Sequence, residues 1–149
     1  MNEWIQTAGG FPRPDRMRRN TVLLDGEWGF RPDRLDTGRR ARWWKSRKWP
    51  RTIRVPFCVE SELSGIGARP APRTMWYRRE FDTPEMGADS KLLLHFGAVD
   101  YMADVWLNGR YIGGHTGGYL PFSFEISSYL SAEENEIVVR VEDTLDPRI

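Results

Sequence analysis

The feature that most constrains the fold is the Asn108-Gly109 pair, which lies between two runs of alternating apolar residues. Residues 101–107 place Tyr, Ala, Val and Leu at every second position, and Tyr111-Ile112 begins the following run. A period of two places successive side chains on opposite faces of a β-strand. An Asn-Gly pair suits a two-residue turn because both of its positions need positive φ. The sequence therefore predicts an antiparallel hairpin.

Shorter alternating segments occur along the rest of the chain, each bounded by turn-forming residues. Beyond the hairpin, strands are predicted over residues 27–30, 53–55, 75–81, 92–96, 122–126 and 137–142. Seven Trp, seven Phe and five Tyr, together with 14 Gly and 10 Pro, favour strands and tight turns over helices. No segment keeps the 3.6-residue period of an amphipathic helix. The fold class predicted is all-β, an antiparallel sandwich or jelly roll.

The segments outside these strands set the domain organisation. Residues 1–20 are rich in Arg, Pro and Gly and are expected to form an arm over the surface. Residues 32–51 are polar and basic and are expected to form a long loop in which a single helical turn fits. A chain of 149 residues with one such pattern predicts a single sandwich domain over residues 21–149.

The bulk properties exclude several classes of function. The net charge of +1 gives no general reason to expect binding to nucleic acid or to an anionic membrane. No stretch approaches the roughly 20 apolar residues of a membrane span. The first residues lack a basic start followed by an apolar stretch, so no signal peptide is visible and a cytoplasmic location is expected. Two His without a nearby acidic cluster argue against a metal site, and no cofactor is expected.

Cys58 is the single cysteine, so an intramolecular disulfide and the usual zinc clusters are excluded. No His lies nearby in the sequence to activate its thiol, and Cys58 is expected to be a small buried packing residue.

Several blocks, in order along nearly the whole chain, resemble the sugar-binding domain of family 2 glycoside hydrolases. They are residues 24–30 (LDGEWGF), 53–57, 60–67, 76–81 (WYRREF), 94–100, 103–109, 113–122 and 135–143. The resemblance implies a galactose-binding-like jelly roll. In whole enzymes of the family this domain precedes an immunoglobulin-like domain and a (β/α)8 barrel, whose two glutamates act as acid/base and nucleophile in a retaining mechanism.

No segment of the chain resembles either glutamate motif, and the Gly-Lys-Gln-type loop and final strand of the family pattern are not seen. We therefore expect a C-terminally incomplete domain, without the immunoglobulin-like and barrel domains and without catalytic residues. The resemblance implies a non-catalytic accessory domain of a retaining β-glycosidase, which packs on the other domains of the parent enzyme and shapes the active-site pocket for a β-linked sugar. A missing strand would leave an unpaired edge and favour self-association.

Two other classes of function remain open. A jelly roll can act alone as a carbohydrate-binding module, or the chain can be a non-enzymatic interaction domain. Because fold does not determine function, the sequence leaves both alternatives standing.

Six residues are candidates for carbohydrate contact. Two of the six, Trp43 and Trp44, could stack on a pyranose ring together with a seventh residue, Trp49, although aromatic residues of this size more often cover a sheet or pack against a neighbouring domain. The other candidates are His115 and Tyr119, in a predicted loop around two glycines, and Arg69 and Arg73, in the Pro-rich segment before Trp76.

The basic and aromatic stretch 39–48 has the composition of a single-stranded nucleic-acid surface, but acidic residues elsewhere offset its charge and favour a solvated loop. Trp28, Trp76 and Trp106 lie within predicted strands and are expected to pack in the sandwich. Either Arg78 or Arg79 is expected to pair with a carboxylate at a contact with another domain.

Overall fold

A computed structural model describes residues 21–143 of the chain. The predicted arm at residues 1–20 and the last six residues, 144–149, lie outside the described residues. The described part contains eight β-strands and three short 3-10 turns. The strands are β1 Gly26–Pro32, β2 Arg51–Val55, β3 Thr74–Asp82, β4 Leu93–Phe96, β5 Met102–Leu107, β6 Arg110–Thr116, β7 Phe122–Glu125 and β8 Glu134–Glu142. The 3-10 turns are Trp43–Lys45, Glu62–Ser64 and Ser127–Tyr129.

The strands form two antiparallel sheets. The larger has six strands in the order β2-β1-β3-β8-β5-β6, and the smaller pairs β4 with β7. The Asn-Gly hairpin joins β5 to β6, with φ of 51° at Asn108 and 76° at Gly109. The predicted all-β jelly-roll sandwich is confirmed, and each predicted strand corresponds to an observed one.

The main core lies between the sheets and contains the alternate residues of the central strands. From the large sheet come Trp28, Phe30, Ile53, Met75, Ala103, Val105, Leu107, Ile137, Val139 and Val141. The small sheet supplies Leu94 with the partly buried Phe96, Phe122 and Phe124. Each fully buried side chain of this size contributes about 1.5–3 kcal/mol, so the core is the main stabilising element of the domain.

The outer face of the large sheet is also partly buried, because a loop folds over it. Trp76, Trp106 and Val138 lie on this face, and Trp43, Trp44 and Trp49 pack against them from the segment between β1 and β2. Asp33 fastens the start of this segment: its carboxylate accepts from the Trp76 indole N–H at 3.0 Å and from the Gly38 amide at 2.8 Å. The predicted long loop with one helical turn thus forms a cover over the sheet.

Trp28, Trp76 and Trp106 are all at least nine-tenths buried, as predicted. Two other expectations were wrong. Cys58 is exposed, because the segment after β2 places Val59 rather than Cys58 in the core. His115 lies in β6 rather than in a loop, because the glycine-rich run continues the ladder with β5, where Ala103 faces His115 and Asp104 faces Gly114.

Among residues 21–143, no helix is long and apolar enough to cross a membrane.

Candidate functional site

Loops gather at the end of the large sheet where β3 and β5 begin and where β6 and β8 finish. Backbone hydrogen bonds continue across this end: the Asp143 amide donates to the Arg73 carbonyl at 2.8 Å, and the Tyr101 amide donates to Glu142 at 3.3 Å. The Gly117 amide donates to the Tyr101 carbonyl at 2.8 Å. Segments 69–73, 97–101 and 117–121 with Asp143 are called the loop end from here on.

Three predicted site residues lie on the loop end. Arg73 is exposed, and its guanidinium is 3.0 Å from Glu142 Oε1. Arg69 is exposed, and its Nε donates to the Glu60 carbonyl at 3.4 Å. The structure therefore places both guanidinium groups in solvent, beside backbone and carboxylate oxygens of their own domain.

Tyr119 lies at the tip of the loop between β6 and β7. Its side chain is 89% exposed, and the adjacent Leu120 is 68% exposed. Behind this tip the Gly118 backbone approaches the Asp100 carboxylate so closely that a Cβ there would be 2.6 Å from Asp100 Oδ1. The loop thus passes close to Asp100 at Gly118 and exposes two large apolar side chains at its tip.

His115 belongs to the edge of the core rather than to the open surface. Its ring stacks on Phe122 with centroids 4.2 Å apart and planes 9° apart. The His115 Nδ1 atom is buried and has no hydrogen-bond partner within the described residues.

Acidic groups also meet at the loop end. Burial raises the pKa of the Asp143 carboxyl, and the nearby charges of Asp100 and Glu60 raise it further. Burial likewise raises the pKa of the Tyr77 hydroxyl, with additional contributions from Glu60, Cys58 and Asp143. Carboxylates at this end therefore lie close enough to repel one another. Within residues 21–143, no group of three or more His, Cys, Asp or Glu is placed to hold a metal ion.

A chain of alternating charges connects the loop end to the outer face of the sheet. Its centre is Arg140, which is 2% exposed and whose Nη2 donates to Asp36 Oδ1 at 2.8 Å and to Glu142 Oε2 at 2.9 Å. Arg140 Nη1 is 3.7 Å from Asp104 Oδ2, and Asp104 also pairs with Arg39. Burial acts to lower the pKa of Arg140, but its bonds to Asp36 and Glu142 outweigh this and raise it.

Sequence reasoning missed this network. The signal for it was the alternation of β8. Val139 and Val141 face the core, so Arg140 lies on the opposite face beside the buried Val138, and a charged residue at such a position needs partners. Of the two arginines expected to pair with a carboxylate, Arg78 does so, but within its own domain: its Nε donates to Glu136 Oε2 at 2.6 Å, and it also pairs with Glu80. A pairing at a contact with another domain stays a prediction.

The remaining predicted site residues, Trp43 and Trp44, lie on the outer face of the large sheet. The Trp44 ring stacks on Trp106 with centroids 5.0 Å apart and planes 5° apart, and lies 6.3 Å from Trp76. Trp43 lies 5.9 Å from Trp76. Both rings are half-buried, and much of their surface is used in these contacts. The sugar-contact role of all six residues stays a prediction.

Comparisons with known proteins agree with this architecture. The family model described as "Glycosyl hydrolases family 2, sugar binding domain" matches residues 22–146. A Paenibacillus borealis protein named beta-glucuronidase is 28% identical over 141 residues, which cover 91% of this chain and 23% of that protein. The human protein of the same name is 31% identical over 143 residues, covering 87% of this chain and 22% of that protein.

A solved structure of a Lactobacillus rhamnosus beta-glucuronidase superposes with a TM-score of 0.74 at 31% identity, covering 83% of this chain and 21% of that one. The chain thus spans less than a quarter of the length of these relatives.

Proposed function

Because this chain belongs to the family of sugar-binding domains of family 2 glycosyl hydrolases, we propose that it serves as the non-catalytic N-terminal accessory domain of a retaining β-glycosidase. The observation that carries the proposal is the match over residues 22–146, combined with the 23% of a multidomain relative that the chain covers. In such an enzyme the acid and nucleophile would come from the catalytic domain, and this domain would shape the entrance to the pocket.

The substrate class that we propose is a β-linked glucuronide. The relatives that match nine-tenths of the chain carry the name beta-glucuronidase. Accessory walls of a pocket accelerate a reaction by holding the substrate in a productive orientation. The domain would therefore affect the activity of the parent enzyme without contributing an acid or a base.

The loop end is the surface that we propose to face the rest of the enzyme. Tyr119 and Leu120 expose most of their area at its tip, and contiguous exposed apolar surface is typical of a protein contact. Arg69 and Arg73 have exposed guanidinium groups at the same end, although Arg73 already pairs with Glu142, and their remaining N–H groups can bind a carboxylate on the substrate or on the neighbouring domain.

A domain exchange tests the proposal. Residues 22–146 would replace the matching segment of the Lactobacillus rhamnosus enzyme, and hydrolysis of p-nitrophenyl β-D-glucuronide would be measured. We expect the hybrid to hydrolyse the glucuronide and the isolated 149-residue chain to show no turnover. Turnover by the isolated chain, or a well-folded hybrid as inactive as the enzyme lacking the domain, would contradict it.

The contact surface is tested in the same hybrid. Tyr119→Ala combined with Leu120→Ala should lower activity and the melting temperature of the hybrid, because two apolar side chains lose their buried contacts. Leu93→Ala is the matched control, since Leu93 is 43% exposed and lies at the far end of the small sheet. Equal losses for both changes would exclude the tip as the contact.

Self-association through a free edge is a separate part of the proposal. Within residues 21–143 the large sheet ends at β2 and β6. Strand β2 is flanked by Pro50 and Pro56, and proline hinders strand addition, so β6 is the edge we propose for pairing. Light scattering should show a dimer, and a strictly monomeric profile at high concentration would contradict it.

The cytoplasmic location stays a prediction.

A further inference from the structure

A second surface, on the outer face of the large sheet, combines an oriented indole with cations that have no acidic partner among residues 21–143. We propose that Trp49, Arg31 and Lys48 form a binding site for an anionic saccharide, a pyranose chain whose rings carry a carboxylate. The site needs no catalytic domain and goes beyond the accessory role. The three residues, together with Pro50, line an open pocket of about 420 Å³.

The indole of Trp49 is held in a fixed orientation. Its Nε1 donates to the Ser46 carbonyl at 2.9 Å. Its base lies over Gly29, where a Cβ would come within 3.1 Å of Trp49 Cβ and Cγ. A glycine at this position of β1 thus allows the ring to lie down on the sheet. A fixed aromatic surface suits the apolar C–H face of a pyranose, because no rotamer freedom is lost on binding.

The guanidinium of Arg31 is also oriented. Its Cζ lies 3.4 Å from the centroid of the Trp43 ring, a cation–π contact. This contact occupies the face of the guanidinium and leaves the in-plane N–H groups, whose fork matches a carboxylate. Arg31 therefore has the geometry of an anion-binding group beside the Trp49 ring.

The charge of the segment is not neutralised locally. Residues 31–54 contain ten Arg or Lys and two Asp. Both Asp are engaged elsewhere, Asp33 with Trp76 and Asp36 with Arg140. Within the described residues neither Arg31 nor Lys48 has an ion-pair partner, although Arg39 and Arg140 both do. The pocket therefore has a positive potential that favours an anionic ligand.

The arrangement favours a saccharide over a single-stranded nucleic acid. Nucleic-acid grooves stack successive bases on several aromatic side chains along a basic track. Here Trp43 and Trp44 are engaged with Arg31, Trp76 and Trp106, and Trp49 alone lines the pocket. One ring with two adjacent cations fits one uronate unit of a sugar chain.

The test uses a matched pair of sugars that differ only at C6. The purified 149-residue chain would be titrated by calorimetry with a β-1,4-linked glucuronate tetramer and with cellotetraose, its neutral counterpart. We expect the uronate to bind at least about tenfold more tightly, the discrimination that one charge-assisted hydrogen bond of about 1.4 kcal/mol provides. Equal binding of the two sugars would overturn the proposal. So would the absence of uronate binding at a sugar concentration of about 10 mM, which is on the order of the weakest useful affinity.

Variants locate the site. Trp49→Ala should weaken uronate binding at least about tenfold, whereas Trp49→Phe retains a ring but loses the hydrogen bond to Ser46 and should show a smaller loss. Arg31→Gln and Lys48→Gln should each weaken it, and Arg47→Gln, the neighbouring exposed cation, is the matched control. Each variant would first be shown to be folded by its melting temperature. If Arg47→Gln and Arg31→Gln lose equal affinity for the uronate, the binding depends only on the overall positive charge of the segment, and the proposed site is overturned.

A third titration, with an oligothymidylate of similar charge, tests whether the site binds single-stranded nucleic acid instead. Tighter binding of the oligonucleotide than of the uronate tetramer, lost in Trp49→Ala, would show a nucleic-acid surface and overturn the saccharide assignment. Because no step involves a catalytic domain, failure here leaves the domain-exchange result unaffected, and the reverse also holds.

Discussion

The side-chain amide of Asn108 donates a hydrogen bond of 2.8 Å to Oδ1 of Asn135, joining the β5–β6 turn to the start of β8. The same Nδ2 donates to the Tyr129 carbonyl at 2.9 Å, and Asn108 Oδ1 accepts from the Glu136 amide at 2.9 Å. Asn135 is 1% exposed and in turn donates to Thr83 Oγ1 at 2.7 Å. One turn residue thus fixes both the hairpin and its position on the neighbouring strand.

We predict that replacing Asn108 separates these two contributions. Asn108→Gly keeps positive φ at no steric cost but loses the side-chain bonds, and should lower the free energy of unfolding by about 2 kcal/mol. Asn108→Ala loses the same bonds, and Ala tolerates the left-handed region less well than Asn or Gly, so this variant should cost about 1 kcal/mol more than the Gly variant. Urea denaturation measures both. A Gly variant as stable as the parent chain would show that the side-chain bonds contribute nothing.

The hairpin could be predicted from sequence because its signal is local: two adjacent residues and the alternation around them specify it. The partners of Asn108 are up to 28 residues away, and no local pattern indicates them. The same limit explains Cys58, whose exposure depends on how the segment after β2 crosses the core.

Gly113 is the point where β6 approaches the small sheet. A Cβ at this position would overlap the ring of Phe124. We predict that Gly113→Ala lowers the free energy of unfolding by about 1–3 kcal/mol, because either the ring or the strand must move and because φ of 154° itself disfavours a side chain. Gly97→Ala is the control, since a Cβ there meets nothing within 4 Å. Equal thermal shifts for the two variants would contradict the close approach.

Arg140 should make stability depend on acid pH. Its hydrogen bond lowers the pKa of Glu142, burial opposes this, and Arg73 lowers it further. A depressed carboxyl pKa adds stability that is complete above the unfolded value of 4.5 and is lost as pH falls through the folded value.

We therefore expect Arg140→Leu to cost about 3 kcal/mol at pH 7, because carboxylates on a covered face lose their central partner. The cost should shrink as pH falls below 4.5. Urea unfolding of both proteins at pH 7, 5, 4 and 3 measures it. Arg73→Gln removes the exposed partner of Glu142 and should show a smaller loss; a cost for Arg140→Leu that does not change with pH would contradict the role of Glu142.

The candidate site was less predictable than the fold. Arg73 and Tyr119 could be chosen because loops before and after strands can carry exposed polar groups, and the structure places both at one end of the sheet. The Trp49 pocket depends on Gly29 in a strand twenty residues earlier, and strand pairing alone brings the two together. Composition indicated an aromatic and basic loop, but not which ring would line a pocket.

Asp143 should affect stability in the direction opposite to Glu142, its neighbour in sequence. Burial raises the pKa of Asp143, and the charges of Asp100 and Glu60 add to the shift. A raised carboxyl pKa means that the folded chain prefers the protonated form, so its favourable contribution is complete below the unfolded value of 3.8 and is lost as pH rises through the folded value. Asp143→Asn should consequently stabilise the chain at pH 7 by under about 1 kcal/mol, a small effect because solvent screens this half-exposed group.

At pH 3 the gain from Asp143→Asn should vanish, since both proteins are then uncharged at this position. Melting temperatures of the two proteins at pH 7 and pH 3 test this, with Asp89→Asn as the exposed control. An equal gain at both pH values would assign the effect to packing of the amide, and a loss at pH 7 would show that the Asp143 carboxylate is stabilised by its surroundings.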